Sequence, residues 1–244
     1  MEIVFPDIPE YHFILKGLYS DKFTLYPKFH CEATTDFDQE ITADVAFLPA
    51  PIAMMNAHNY ALLKTGNIFS YFSGPQLFSP LKEFNEVFID KRDFVSEYYA
   101  RILLKGVNVR KGDGSPALME PRIAMMSPQT NQEKMDLYEH WRTLANSLPF
   151  PLYCGMIRKS ARGLKGIVED AINASVKYAL NNSSDVIKEI AMMHRIENFE
   201  LLKRVMFQFI NKNTLAISEE EMESLRVLNR EMENRGFPVY KLKI

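Results

Sequence analysis

Short apolar runs closed by proline or glycine alternate with apolar residues at helical spacing over the first part of this chain. Residues 2–5 read as a strand, and Pro6-Asp7-Ile8-Pro9 ends it, because proline fixes φ and lacks an amide donor. Beyond Pro9, the positions Phe13, Ile14, Leu18 and Tyr19 predict a helix, and residues 23–33 alternate as a strand. Residues 44–49, DVAFLP, form a brief apolar run closed by proline, as a buried parallel strand does. A helix over 51–57 follows, then strands at 60–63 and 69–72, punctuated by Gly66 between them and by the Ser73-Gly74-Pro75 turn after the second.

Residues 83–90 predict another strand, and Asp93 is placed to cap a helix through Leu104 that carries Phe94, Tyr98, Ile102 and Leu103 on one side. Residues 106–116 read as a strand entering a glycine-rich turn, 122–126 as a strand, and 132–147 as an amphipathic helix with Met135, Tyr138, Trp141, Leu144 and Ala145 apolar. Residues 149–158 are extended and apolar, and everything later is helical: 163–180, Ser184 to His194, and 197–212. Ser218 with Glu221 forms a capping box for a last helix that stops at Gly236, before a strand-like tail. Alternating strands and helices imply an α/β class with a parallel or mixed sheet. With 244 residues there is room for two lobes, expected at 1–82 plus 158–244 and at 83–157.

The charge of the chain changes this picture by exclusion. A formal charge of -2 offers no cationic excess for a phosphate backbone, so nucleic acid is not an expected partner. The N-terminal stretch lacks a basic start and cleavage site, and no apolar run suffices for a membrane span; the expectation is a cytoplasmic protein without a membrane partner. Cys31 and Cys154 form no CxxC pattern and read as small buried hydrophobes. The totals leave a homodimer open.

Catalytic and cofactor motifs are sparse. Neither a dinucleotide fingerprint nor a phosphate-binding loop occurs, and Gly112-Asp113-Gly114 reads as a hairpin turn. Ser73 has Tyr71, not glycine, two residues before it, so no nucleophile elbow is present. The five histidines, His12, His30, His58, His140 and His194, have no metal-ligand spacing, so neither a metal nor a cofactor is expected. His12 stands apart: with Glu10 and Tyr11 it opens the first helix after the first strand, where α/β sheets bind ligands. The alternative for it is a half-exposed surface histidine.

Residues 44–77, DVAFLPAPIAMMNAHNYALLKTGNIFSYFSGPQL, resemble the futalosine-pathway menaquinone enzymes, above all dihydroxynaphthoate synthase and more distantly chorismate dehydratase. The similarity rests on Asp44, Val45, Tyr60 to Leu63, Lys64, Gly66, Gly74 and Pro75, and continues through LPFPLYCGMIR at 148–158, the helix at 172–180, and Pro9 with Phe13. It implies a two-lobed periplasmic-binding-protein-like (type 2) fold, with mixed sheets, flanking helices and an interlobe cleft, and a lyase activity. The departures lie at the pocket. Pro9-Glu10-Tyr11-His12 replaces the family's polar loop, Pro49 a serine, Tyr71 an arginine and Phe94-Val95 a threonine pair, while Met126-Ser127-Pro128 stand where the catalytic histidine is expected. The lost donors would have held a carboxylate, at ~1.5–3 kcal/mol per charged hydrogen bond.

The resulting expectation is a cytoplasmic small-molecule-binding protein without the family's catalysis. Its ligand, fairly apolar or aromatic, would lie in a cleft lined by Tyr11, His12, Pro49, Ala50, Tyr71, Ser73, Phe94, Ser127 and Gln129. The rival expectation is a lyase of menaquinone or related quinone biosynthesis with His12 as general base. A transporter-linked receptor would need export or a lipid-anchored cysteine, and neither cysteine is placed for that.

Overall fold

The computed structural model describes residues 1–19, 28–37, 40–79, 83–91, 93–126 and 133–242. The chain begins with β1 (Glu2–Pro6), α1 (Pro9–Ile14), α2 (Lys16–Tyr19) and β2 (His30–Thr34), then β3 (Val45–Pro49), α3 (Ala50–Asn56), β4 (Tyr60–Leu62) and β5 (Ile68–Ser70). A second group follows: β6 (Gln76–Ser79), β7 (Glu86–Ile89), α4 (Phe94–Leu103), β8 (Asn108–Lys111), β9 (Ala117–Met119), α5 (Pro121–Met126), β10 (Glu133–Asp136) and α6 (Leu137–Leu144). The chain returns on β11 (Phe150–Arg158) and a 3-10 turn at Lys159–Leu164. It ends in α7 (Lys165–Asn181), α8 (Ser183–Met193), α9 (Phe199–Phe209), α10 (Lys212–Leu215) and α11 (Glu219–Asn234).

Among the described residues these strands form two mixed sheets. The first runs β2-β1-β3-β11-β4, with β5 also on β11; β1 is parallel to β2 and β3, and β11 is antiparallel to its neighbours. The second runs β10-β6-β9-β7-β8, with β7 parallel to β8 and β9. Every residue of β3 is buried, and β11 is buried from Phe150 to Ile157, which is why both read as unbroken apolar runs rather than alternating ones. Gly155 is needed there, since a Cβ would stand 2.9 Å from the Thr65 carbonyl oxygen and 3.0 Å from the Phe47 ring.

Local signals set several element ends. The Asp93 carboxylate accepts the Ser96 N–H and starts α4, and the Ser218–Glu221 box opens α11 with both of its reciprocal bonds present. Helices α7 and α8 pack on α1, and α11 packs on α3 and β11. No described helix is long and apolar enough to cross a membrane.

Four expectations are corrected. Residues 121–126 are helix α5, not a strand: Pro121 opens the segment, and its pre-set φ suits a first helical turn. The expected helix at 132–147 divides at Asp136, whose carboxylate accepts the Tyr138 N–H and starts α6, so that Met135 lies exposed on strand β10. The Gly112-Asp113-Gly114 turn closes no hairpin; it carries the chain from β8 to β9, which flank β7 as parallel strands. Residues 237–242 form no strand, and of the strand expected at 23–33 the part at 23–27 lies outside the described residues. Strand β6 belongs to the second sheet and β11 to the first, so the chain crosses between sheets at 71–75 and 145–149.

Candidate functional site

The carboxyl ends of β1, β2 and β3 in one sheet and of β7 and β8 in the other, with β9 alongside, open on one cavity of about 560 Å³. Such a convergence of strand ends is where α/β proteins bind ligands, and the volume suits a small molecule. The first sheet contributes Pro6, Asp7, Thr34, Pro49 and Tyr153; the second contributes Phe88, Asp90, Phe94, Asp113 and residues 117–120. Gly114 lies against the Phe88 ring, where a Cβ would come within 2.3 Å of it. Phe94 meets Phe37 edge to face at 5.6 Å, and the Lys111 ammonium sits 4.6 Å from the Phe94 centroid.

A knot of charged groups forms the floor. Arg122 on α5 donates from Nη2 to Glu120 Oε2 at 2.8 Å, and its Nε lies 3.4 Å from Glu10 Oε2 on α1. The Tyr153 hydroxyl on β11 donates to Glu120 Oε1 at 3.1 Å, and the Glu120 N–H donates to Asp93 Oδ2 at 2.8 Å. The knot thus joins elements of both sheets. Burial pushes the Glu10 carboxyl from 4.5 up to about 7, and Arg122 only partly opposes this, since the guanidinium is closer to Glu120. Burial, then the charge of Glu120, pushes Asp93 from 3.8 up to about 7. Burial works against the Arg122 charge, but Glu120 and Glu10 outweigh it and hold the guanidinium protonated.

At the rim, Asp7, His12 and His194 meet from three separate elements. Pro6 and Pro9 bend the chain so that Asp7 follows β1, with its N–H donating to the Thr34 carbonyl at 2.9 Å, and His12 comes one turn into α1. His12 Nε2 lies 2.8 Å from Asp7 Oδ1, while the Tyr19 hydroxyl donates to the His12 carbonyl at 2.6 Å and stands 3.4 Å from Nδ1. His194, at the C-cap of α8, places Nε2 3.9 Å from the same Asp7 oxygen and its ring 5.0 Å from that of His12. Burial, and then His12, keep the pKa of His194 below the usual histidine value, so its imidazole is neutral at neutral pH.

Of the residues expected to line the cleft, Pro49 and Phe94 do so, and His12 lies directly behind Asp7 and His194. Four others stand elsewhere. Tyr11 is a core residue, its ring tilted against Phe47 and edge to face with Tyr153, with its hydroxyl donating to the Gly66 carbonyl. Ala50 is buried at the start of α3. Tyr71 turns toward α11, donating to Glu221 Oε1 at 2.9 Å and accepting from the Asn213 amide. Ser73 donates to Asp136 Oδ2 at 2.7 Å beneath the start of α6. Ser127 and Gln129 lie outside the described residues. Sequence reasoning passed over Asp7, Asp113, Glu120, Arg122 and His194; the first two sit just after strand runs, a usable signal, but nothing local marks His194.

Sheet order, flanking helices and cavity together define a two-lobed protein of the periplasmic-binding-protein type, and the chain resembles solved structures of that fold. The crystal structure of protein AF1704 from Archaeoglobus fulgidus has a TM-score of 0.83 at 14% identity, covering 96% of this chain and 97% of that one. The periplasmic aliphatic sulphonate binding protein SsuA of Escherichia coli has a TM-score of 0.59 at 10% identity, covering 100% and 93%. A putative nitrate transport protein of Thermoplasma volcanium has a TM-score of 0.55 at 13% identity, covering 96% and 94%. A family model described as menaquinone biosynthesis matches residues 37–234, and the chain belongs to that family. No curated protein matches it in sequence.

Proposed function

We propose that this chain is a cytoplasmic protein that holds a small molecule between its two lobes, without the reaction of the lyases it resembles. The observation that carries this is the meeting of strand ends from both sheets on a single cavity of about 560 Å³. Phe37, Phe88, Phe94 and Pro49 supply apolar walls, so a flat or ring-bearing body fits. Asp7, Asp90 and Asp113 supply acceptors and negative potential, while Arg122 is engaged by Glu120. That balance favours hydroxyl or amine donors on the ligand and disfavours a carboxylate.

Native mass spectrometry of the purified protein tests this reading. A retained small molecule is expected, released by Phe94→Ala and kept by Tyr71→Phe; retention in Phe94→Ala would refute the cavity assignment. The lyase reading keeps one supporting observation, the His12–Asp7 contact at 2.8 Å behind the cavity wall of a menaquinone-biosynthesis family member. Release of dihydroxynaphthoate from cyclised futalosine, abolished by His12→Ala, would establish that reading instead.

A further inference from the structure

The rim cluster has the composition of a metal site. The candidate donor atoms of Asp7, His12 and His194 all lie within 4.8 Å of one another. Four ligands about 2.0–2.1 Å from a tetrahedral zinc stand roughly 3.4 Å apart, and the observed 2.8 Å and 3.9 Å separations bracket that figure. The Asp7 side chain is 43% exposed, so a small rotation can even them out.

The hydrogen bonding points the same way. A proton shared by His12 and Asp7 accounts for the 2.8 Å contact but not for His194, whose Nε2 is shielded from solvent and has no hydrogen-bond partner. The Tyr19 hydroxyl gives its proton to the His12 carbonyl, so its oxygen is available only as an acceptor toward His12 Nδ1–H. That outer contact favours the tautomer with a bare Nε2 facing Asp7, as hydrogen-bond partners of the far ring nitrogen do for metal-bound histidines. A cation among the three groups satisfies the bare Nε2, the His194 lone pair and the carboxylate together.

We propose that Asp7, His12 and His194 bind one divalent first-row transition ion at the wall of the interlobe cavity. Two imidazoles and one carboxylate suit zinc, iron, cobalt or nickel, not calcium or magnesium, which take oxygen ligands. Asp7 and His194 line the cavity, so the positions left open on the ion face whatever occupies it. An oxygen or nitrogen donor on a cavity ligand would complete the coordination.

The test uses untagged full-length protein stripped with EDTA and titrated with Zn²⁺ alone, so that it stands apart from any organic ligand. One ion per chain is expected, with a rise in Tm on binding. His194→Ala and Asp7→Asn change partly exposed side chains and should keep the Tm of the stripped protein while weakening Zn²⁺ by about 100-fold or more. The exposed His140 serves as control, and His140→Ala should bind as wild type. Co²⁺ should give visible bands of a four- or five-coordinate N/O site in wild type and lose them in both rim variants. Absence of a stoichiometric ion, or equal affinity in wild type, His194→Ala and Asp7→Asn, would overturn the proposal.

Discussion

The floor and the rim of the interlobe cavity use similar residue types to opposite ends. On the floor, Arg122 stands between Glu120 and Glu10, with Tyr153 and Asp93 bound to Glu120, all inside the protein. On the rim, Asp7 is 43% exposed, and the adjoining His194 Nε2 has no hydrogen-bond partner. The floor also has buried atoms without a hydrogen-bond partner, both Glu10 carboxyl oxygens and Arg122 Nε, but they face one another as an ion pair inside the protein, whereas His194 and the partly exposed Asp7 stand at a cavity wall within reach of something that enters it. The difference separates scaffold electrostatics from candidate chemistry at sites that share one cavity.

The largest expected effect breaks the floor. Arg122→Met leaves Glu10 and Glu120 as buried carboxylates without a counter-charge and should cost about 3–5 kcal/mol in denaturant unfolding. A loss below about 1 kcal/mol would show the knot to be dispensable. Next, Gly114→Ala drives a Cβ into the Phe88 ring and should cost about 1–3 kcal/mol, weakening retention of a cavity ligand as the loop lifts. Unchanged stability and retention would remove this loop from the site.

A pH series tests the floor. Glu10 and Asp93 have folded values near 7 against ordinary values of 4.5 and 3.8, so the folded state keeps protons that the unfolded chain releases in between. Their contribution is fully present below pH 3.8 and is lost as pH rises through about 7, so unfolding free energy should fall across that window. Glu10→Gln should flatten the fall and leave only the part due to Asp93; an unaltered slope would assign the titration elsewhere. The smallest effect is expected at the rim, where Asp7→Asn should change metal-free stability by less than about 1 kcal/mol because the carboxylate is partly solvated.

Much of the scaffold was legible because its signals are local. The DVAFLP run, the LPFPLYCGMIR run, the Asp93 cap and the Ser218–Glu221 box each encode their element within a few residues, and the structure forms all of them. The site was less legible. Tyr71 looked like a pocket residue because it stands where the resembled family has an arginine, yet Glu221 and Asn213, far along the chain, hold its hydroxyl instead. Residues 122–126 have an apolar pattern compatible with either period, and a helix start at Pro121 decided it.

What the sequence determined by itself is therefore the order of elements, the buried central strands and the family, since each depends on patterns read over short windows or along a collinear stretch. Only the tertiary structure decided which side chains face the cavity and which charges pair. His12 and His194 have no common local signal, and they meet because α8 packs on α1 and brings its end back to the loop after β1. Contacts between residues that far apart arise from how the elements pack, and no short-range periodicity carries that information.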